Sequence, residues 1–178
     1  IRSIDELPTV KAVLCDLSPR PLLEIAGHRF PPRFRRAVSR YRYGLGVFKV
    51  DWAMNGPIPW TDEACTLAGT VHLGGTLDAI AASERQIWNG SHSQRPFVLL
   101  SQPTVFDPSR GPHDRHTAWA YCHVPHGASD DALAPIEQQI ERVAPGFRDR
   151  IIARAVRRPA DIERDNPNFV GGDIAGGA

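Results

Sequence analysis

The sequence has only three cysteines, Cys15, Cys65 and Cys122, widely spaced and without a Cys-x-x-Cys pair. An odd number so placed argues against a disulfide framework and for reduced, mostly buried thiols. No apolar run approaches the length of a membrane span and there is no basic-then-apolar leader, so no transmembrane segment is expected and the cytoplasm is the expected location. An excess of one charge is missing too. Lys and Arg number 21 against 20 Asp and Glu, a net charge of +1 that argues against a dedicated nucleic-acid binder. The Arg33 to Arg42 and Arg148 to Arg158 clusters read as solvated faces. Neither a Gly-x-Ser-x-Gly elbow nor a Gly-x-Gly-x-x-Gly fingerprint is present, which leaves hydrolysis and dinucleotide binding without a local signature.

What is there begins with the stretch Tyr43 to Trp60. Val47, Phe48, Val50 and Trp52 are β-branched or aromatic, and Asn55-Gly56-Pro57 closes the run, so it reads as a strand entering a turn. Alternation puts Leu45, Val47, Lys49, Asp51 and Ala53 on one face, and Gly46, Phe48, Val50, Trp52 and Met54 on the other. Lys49 and Asp51 are therefore either solvated charges on an edge or half-buried strand, or a lysine held over a pocket where desolvation makes it chemically useful.

At 178 residues the chain is one domain or part of a larger one. Val10 to Leu17 reads as a short buried strand, Pro19 to Ala26 as a brief helix, and Pro31 to Tyr41 as a second helix. After Trp60 a strand is expected around Leu67 to Leu73, then a helix capped by Thr76 with Leu77, Ile80, Ile87 and Trp88 on one stripe. Glu84 interrupts that stripe, at its margin or paired. Strands at Phe97 to Gln102 and His116 to Val124 are expected to pair antiparallel. The second has Thr117, Trp119, Tyr121 and His123 on a face that suits a pocket wall, and Ala118, Ala120, Cys122 and Val124 on a face that suits packing under a helix. Leu133 to Ala144 reads as a further amphipathic helix, Arg150 to Val156 as a strand, Pro159 to Arg164 as a helical turn, and Asn166 to Ala178 as a glycine-rich loop. The expected class is α+β, a mixed, mainly antiparallel sheet with helices on one face.

Two histidine pairs, His113-x-x-His116 and His123-x-x-His126, have ligand-like spacing, but a strand between them would hold them at opposite ends, so no metal site is expected. Cys122 and His123 fall on opposite faces of one strand, which disfavours a thiol nucleophile. The Gly171-Gly172-Asp173 segment is either a flexible turn or a place where backbone comes close to a ligand.

Asp16-Leu-Ser-Pro-Arg20, Tyr43-Gly-Leu-Gly-Val-Phe-Lys-Val-Asp-Trp-Ala53 with Gly56-Pro-Ile-Pro-Trp60, Leu100-Ser-Gln-Pro-Thr104, His116-Thr-Ala-Trp-Ala-Tyr-Cys-His-Val-Pro125 and Asn166-Pro-Asn-Phe-Val-Gly-Gly-Asp-Ile174 together resemble the phytoene dehydrogenase-related branch of the FAD-dependent oxidoreductases, within the amine-oxidase-like flavoprotein group. The resemblance spans nearly the whole chain in order. It implies that these residues are a substrate-binding domain whose flavin-binding segments lie elsewhere in the parent chain, an expectation matched by ends that read as cut, Ile1 and Gly-Gly-Ala. On this reading residues 1–42 form the junction with the FAD-binding domain, 43–160 the substrate-binding domain, and 161–178 a glycine-rich return. Lys49 matches the group's lysine near the flavin N5, and Gly171, Gly172 and Asp173 would lie near the flavin ring. Trp119, Tyr121 and His123, read from strand alternation and joined by Trp52, are expected to line a cavity for an apolar or carotenoid-like substrate. The fragment alone would lack most FAD contacts, be inactive, and self-associate through an uncovered apolar patch. The alternatives are a stand-alone ligand-binding or interaction domain without catalysis and, more remotely, a metal-dependent enzyme using the histidine pairs.

Overall fold

A computed structural model describes residues 1–112 and 114–177. The chain opens with helices α1 (Pro19–Ala26) and α2 (Pro32–Val38) and then enters strand β1 (Gly46–Met54). There follow β2 (Thr70–Leu73), α3 (Leu77–Trp88), β3 (Val98–Ser101), β4 (His116–Val124), α4 (Leu133–Glu141), β5 (Ile151–Arg157) and α5 (Pro159–Asp165). The strands form one five-stranded sheet in the order β2-β3-β4-β1-β5. Its pairings are all antiparallel, so the α+β class holds and the sheet is more uniform than the mixed one expected.

β1 is not an edge strand. It pairs with β4 along its whole length, from Gly46 opposite Val124 to Met54 opposite His116, and with β5 on its other side. This central place follows from composition, because Val, Phe and Trp fit a pleated surface flanked on both sides. Alternation then decides the faces: Phe48, Val50, Trp52 and Met54 are almost fully buried, whereas Lys49, Asp51 and Ala53 are not.

The buried face continues through Val98 and Leu100 of β3 and through Ala118, Ala120, Cys122 and Val124 of β4. These small β4 residues let a helix approach closely, and Ile136 and Ile140 of α4, with Ala144 and Phe147 beyond it, complete the core. Trp52 and Phe147 meet edge to face, ring centroids 5.2 Å apart. Burying each ring contributes about 1.5–3 kcal/mol. One carboxylate is enclosed here: Glu137 accepts from the Trp52 indole N–H at 3.0 Å and from the Arg154 Nε–H at 2.6 Å. The bond with Glu137 raises the Arg154 pKa.

The opposite face has no such lid. α3 reaches it at one end, through Glu84 on His123 and Trp88 beside the hollow where Val47 is buried, and α5 through Ile162 and Asp165.

Several expected elements differ. Residues 10–17 form no strand: Val10, Val13 and Leu14 are 54%, 44% and 94% exposed, and none pairs with a sheet strand among the described residues. Local composition suits a strand there, but strand formation requires a hydrogen-bonding neighbour, and these residues have none. β2 is shorter than expected because Glu63–Leu67 winds into a 3₁₀ turn, capped by Asp62 accepting from the Ala64 N–H at 2.9 Å. α2 stops at Val38, before Tyr41. The thiols are less hidden than expected, with Cys15 exposed, Cys65 half-buried and only Cys122 buried. Among the described residues no helix is long and apolar enough to cross a membrane.

Candidate functional site: the uncovered face of the sheet

The uncovered face is built by the residues of β4 that alternate away from the core. Trp119 and Tyr121 stack with centroids 6.4 Å apart and planes within 7°, and His123 follows 6.2 Å from Tyr121. β1 supplies the adjoining column, with Val47 opposite His123, Lys49 opposite Tyr121 and Asp51 opposite Trp119. Lys49 Nζ lies 5.4 Å from the centre of the Trp119 ring and is bonded to both carboxylate oxygens of Asp51. Its side chain is 31% exposed, neither sunk in a pocket nor free in water. An ion pair and a cation–π contact at such exposure hold the ammonium in place more than they stabilise the fold, each by roughly 1 kcal/mol or less.

Across from this surface, α5 and the C-terminal tail raise a second wall. Between them runs a groove of about 320 Å³, with Val47, Lys49, Trp119 and Tyr121 on one side and Ile162, Phe169 and Ile174 on the other. Its rim is polar, made by Asn166 and by Arg157 and Asp165, which pair at 2.9 Å. A second hollow of about 180 Å³ adjoins it, since Val47 and Ile174 line both. Glu84, Trp88, His123 and Asp173 line the second. His123 Nδ1 is 2.6 Å from Glu84 Oε2, a charge-assisted bond between β4 and α3. The charged residue that interrupts the apolar stripe of α3 is thus a paired one.

The sequence-derived residues divide. Lys49, Trp119, Tyr121 and His123 share the uncovered face. Trp52 is 2% exposed, on the core side of β1 and bonded to Glu137, and it is absent from the Lys49 groove, although it borders with Trp119 a separate hollow of about 570 Å³ that Asp51, Thr117 and Arg154 also line. One residue of offset in a strand turns a side chain to the other face, which is why adjacent-looking aromatics part company.

Gly171, Gly172 and Asp173 are next to the groove but are used internally. Both glycines have positive φ, 63° and 80°. A Cβ on Gly171 would lie 2.2 Å from the His126 ring, and one on Gly172 would lie 2.7 Å from Pro159. The close approach that glycine permits is to the protein itself. Asp173 is 1% exposed, and its oxygens accept from the backbone N–H groups of Gly44 at 2.7 Å, Ala175 at 2.8 Å and Gly176 at 3.0 Å. Nearby, Glu163 accepts from the Gly171 N–H at 2.6 Å and from Arg20. Burial pushes the Glu163 pKa up, yet these bonds outweigh it and hold the carboxyl below its ordinary value.

The histidines do not converge. His116 meets Thr104, His123 meets Glu84, and His126 meets the Gly44 carbonyl at 2.9 Å. His113 lies outside the described residues. Among the described residues no group of three His, Cys, Asp or Glu is placed to hold a metal ion. Cys122 faces the core, where burial, with a smaller effect of Glu84, pushes its thiol up to about 12.

No protein-family model and no curated protein matches this sequence. Among solved structures it is similar to an oxidoreductase from Methanosarcina mazei, with 13% identity and a TM-score of 0.47, covering 79% of this chain and 29% of the other. It is also similar to a protein from Pyrococcus furiosus, with 12% identity and a TM-score of 0.44, covering 76% of this chain and 28% of the other. The chain thus spans less than a third of the length of either.

Proposed function

We propose that this chain is the substrate-binding part of an FAD-dependent oxidoreductase that acts on an apolar or carotenoid-like substrate, in a cytoplasmic parent protein that supplies the flavin-binding segments. The observation that supports the reading is the convergence of Lys49, Trp119 and Tyr121 on an uncovered sheet face, where they wall a groove of ligand-sized volume, about 320 Å³. The sequence resemblance points to the same lysine.

FAD, when bound, supplies the hydride acceptor. The chain's own contribution is binding and exclusion of water. Trp119 and Tyr121 offer flat apolar area, and Ile162, Phe169 and Ile174 close over it, which suits an extended hydrocarbon. Lys49, fixed by Asp51 and the Trp119 ring, presents a positive charge at the groove. The fit to a flavin ends with Lys49. Gly171 and Gly172 are filled by His126 and Pro159, and Asp173 is engaged by backbone, so the reading assigns these three no cofactor contact. In the same reading the exposed Val10, Val13 and Leu14 meet the flavin-binding part or, in the isolated chain, a second copy.

The test is the visible absorption spectrum of the purified complete gene product. Flavin bands that bleach on anaerobic reduction are expected, and a colourless protein that takes up no added FAD would overturn the reading. A second reading, a binding module without chemistry, is favoured by one observation: both walls of the groove come from this chain alone.

A further inference from the structure

We propose that the Glu84–His123 pair anchors the hydroxyl group of a chain-like alcohol whose apolar body lies along the Trp119 and Tyr121 wall. The inference deepens the reading of the groove as a substrate site and rests on it.

Four observations carry it. First, His123 Nδ1 sits 2.6 Å from Glu84 Oε2. An ionised carboxylate only accepts, so it keeps the ring proton on Nδ1 and leaves Nε2 with a free lone pair. Second, no other hydrogen bond to the His123 side chain is present among the described residues, and that side chain is 36% exposed on the 180 Å³ hollow, so Nε2 is open to a ligand. Third, Glu84 Oε1 is buried and has no partner among the described residues, so the only hydrogen bond of this carboxylate there is the one that orients the His123 ring. Fourth, the hollow runs into the apolar groove over Val47 and Ile174.

Charge then selects the head group. Glu84 and Asp173 both line the hollow, so a second anion there is disfavoured, and a neutral O–H that donates to Nε2 satisfies it without adding charge. The substrate class is accordingly a long apolar alcohol rather than a pure hydrocarbon or a fatty acid.

The test compares nonanol with its isomer methoxyoctane, which has the same atoms but no O–H to donate. Calorimetric titration of the purified protein is expected to give nonanol about tenfold tighter binding, the worth of one well-placed hydrogen bond. Nonanol alone should shift the ¹⁵N resonance of His123 Nε2. Glu84→Leu, which suits the apolar stripe of α3, and His123→Phe should each bring the two affinities together. If His123→Phe fails to fold by circular dichroism, Glu84→Leu carries the comparison. Equal affinities in the wild type, with no response of Nε2, would overturn the anchor and leave the groove standing. Binding of neither compound would overturn both.

Discussion

β4 is two surfaces in one strand. Ala118, Ala120, Cys122 and Val124 are nearly inaccessible beneath α4, while Thr117, Trp119, Tyr121 and His123 on the other side remain partly open. The closed side uses small residues so that a helix can come near, and its one carboxylate, Glu137, is met by an indole and a guanidinium. The open side uses large rings with polar tips, and its carboxylates, Asp51 and Glu84, hold a lysine and a histidine toward a groove. The closed face therefore supplies most of the stability, and the open face is the one proposed above as the recognition surface.

The strongest way to break this comparison is to truncate an aromatic on each side. Trp52→Ala or Phe147→Ala should lose about 3–5 kcal/mol of unfolding free energy in urea, because a close-packed core cannot refill the space. Trp119→Ala should lose about 1 kcal/mol or less, as it removes a partly exposed ring. Equal losses would contradict the division. The carboxylates give a sharper contrast. Glu137→Ala leaves a buried indole N–H without its acceptor and Arg154 without its partner, and should cost about 2–3 kcal/mol. Asp51→Ala, on the open face, should cost under about 1 kcal/mol.

Much of this arrangement was legible in the sequence because it is local. The bounds of β4 and its two-sided alternation, the Thr76-capped α3 and the proline-started α5 all follow from periodicity and caps. The failures are non-local. Residues 10–17 have the composition of a strand, but nothing in their own sequence shows that no strand among the described residues pairs with them. Trp52 and Trp119 look alike as pocket aromatics, and only the β1–β4 register, which sets Asp51 opposite Trp119, shows that they do not share the Lys49 groove. Glu84 was recognisable as an exception on its helix, yet its partner lies 39 residues away on β4. The glycine pair signalled a close approach without indicating that His126 and Pro159 are what approaches.

A substitution in that glycine pair tests the tail that borders the open face. Gly171→Ala forces a left-handed residue into a Cβ position occupied by the His126 ring, and should cost about 1–3 kcal/mol. Hydrogen exchange should localise the loss to residues 166–176 and 125–127, leaving β1 and β4 protected.

The smallest expected effect at ordinary pH concerns the Cys122 thiol. Its folded value, about 12, lies above the ordinary 9.0, so the fold prefers the neutral thiol. Stability from this group is complete below about pH 9 and declines between about pH 9 and pH 12 with a slope near 1.4 kcal/mol per pH unit, while Cys122→Ala removes that decline. In the native protein at pH 8, alkylation should label Cys15 and spare Cys122.

The most direct measurement uses the four tryptophans as reporters of the two faces. Trp119 walls the groove and Trp88 the adjoining hollow, whereas Trp52 and Trp60 donate their indole N–H groups to Glu137 and Gln102. In a ¹H–¹⁵N spectrum titrated with nonanol, the indole signals of Trp119 and Trp88 should move and those of Trp52 and Trp60 should stay. Movement of Trp52 instead, or no movement at saturating ligand, would contradict the assignment of the open face as the binding surface.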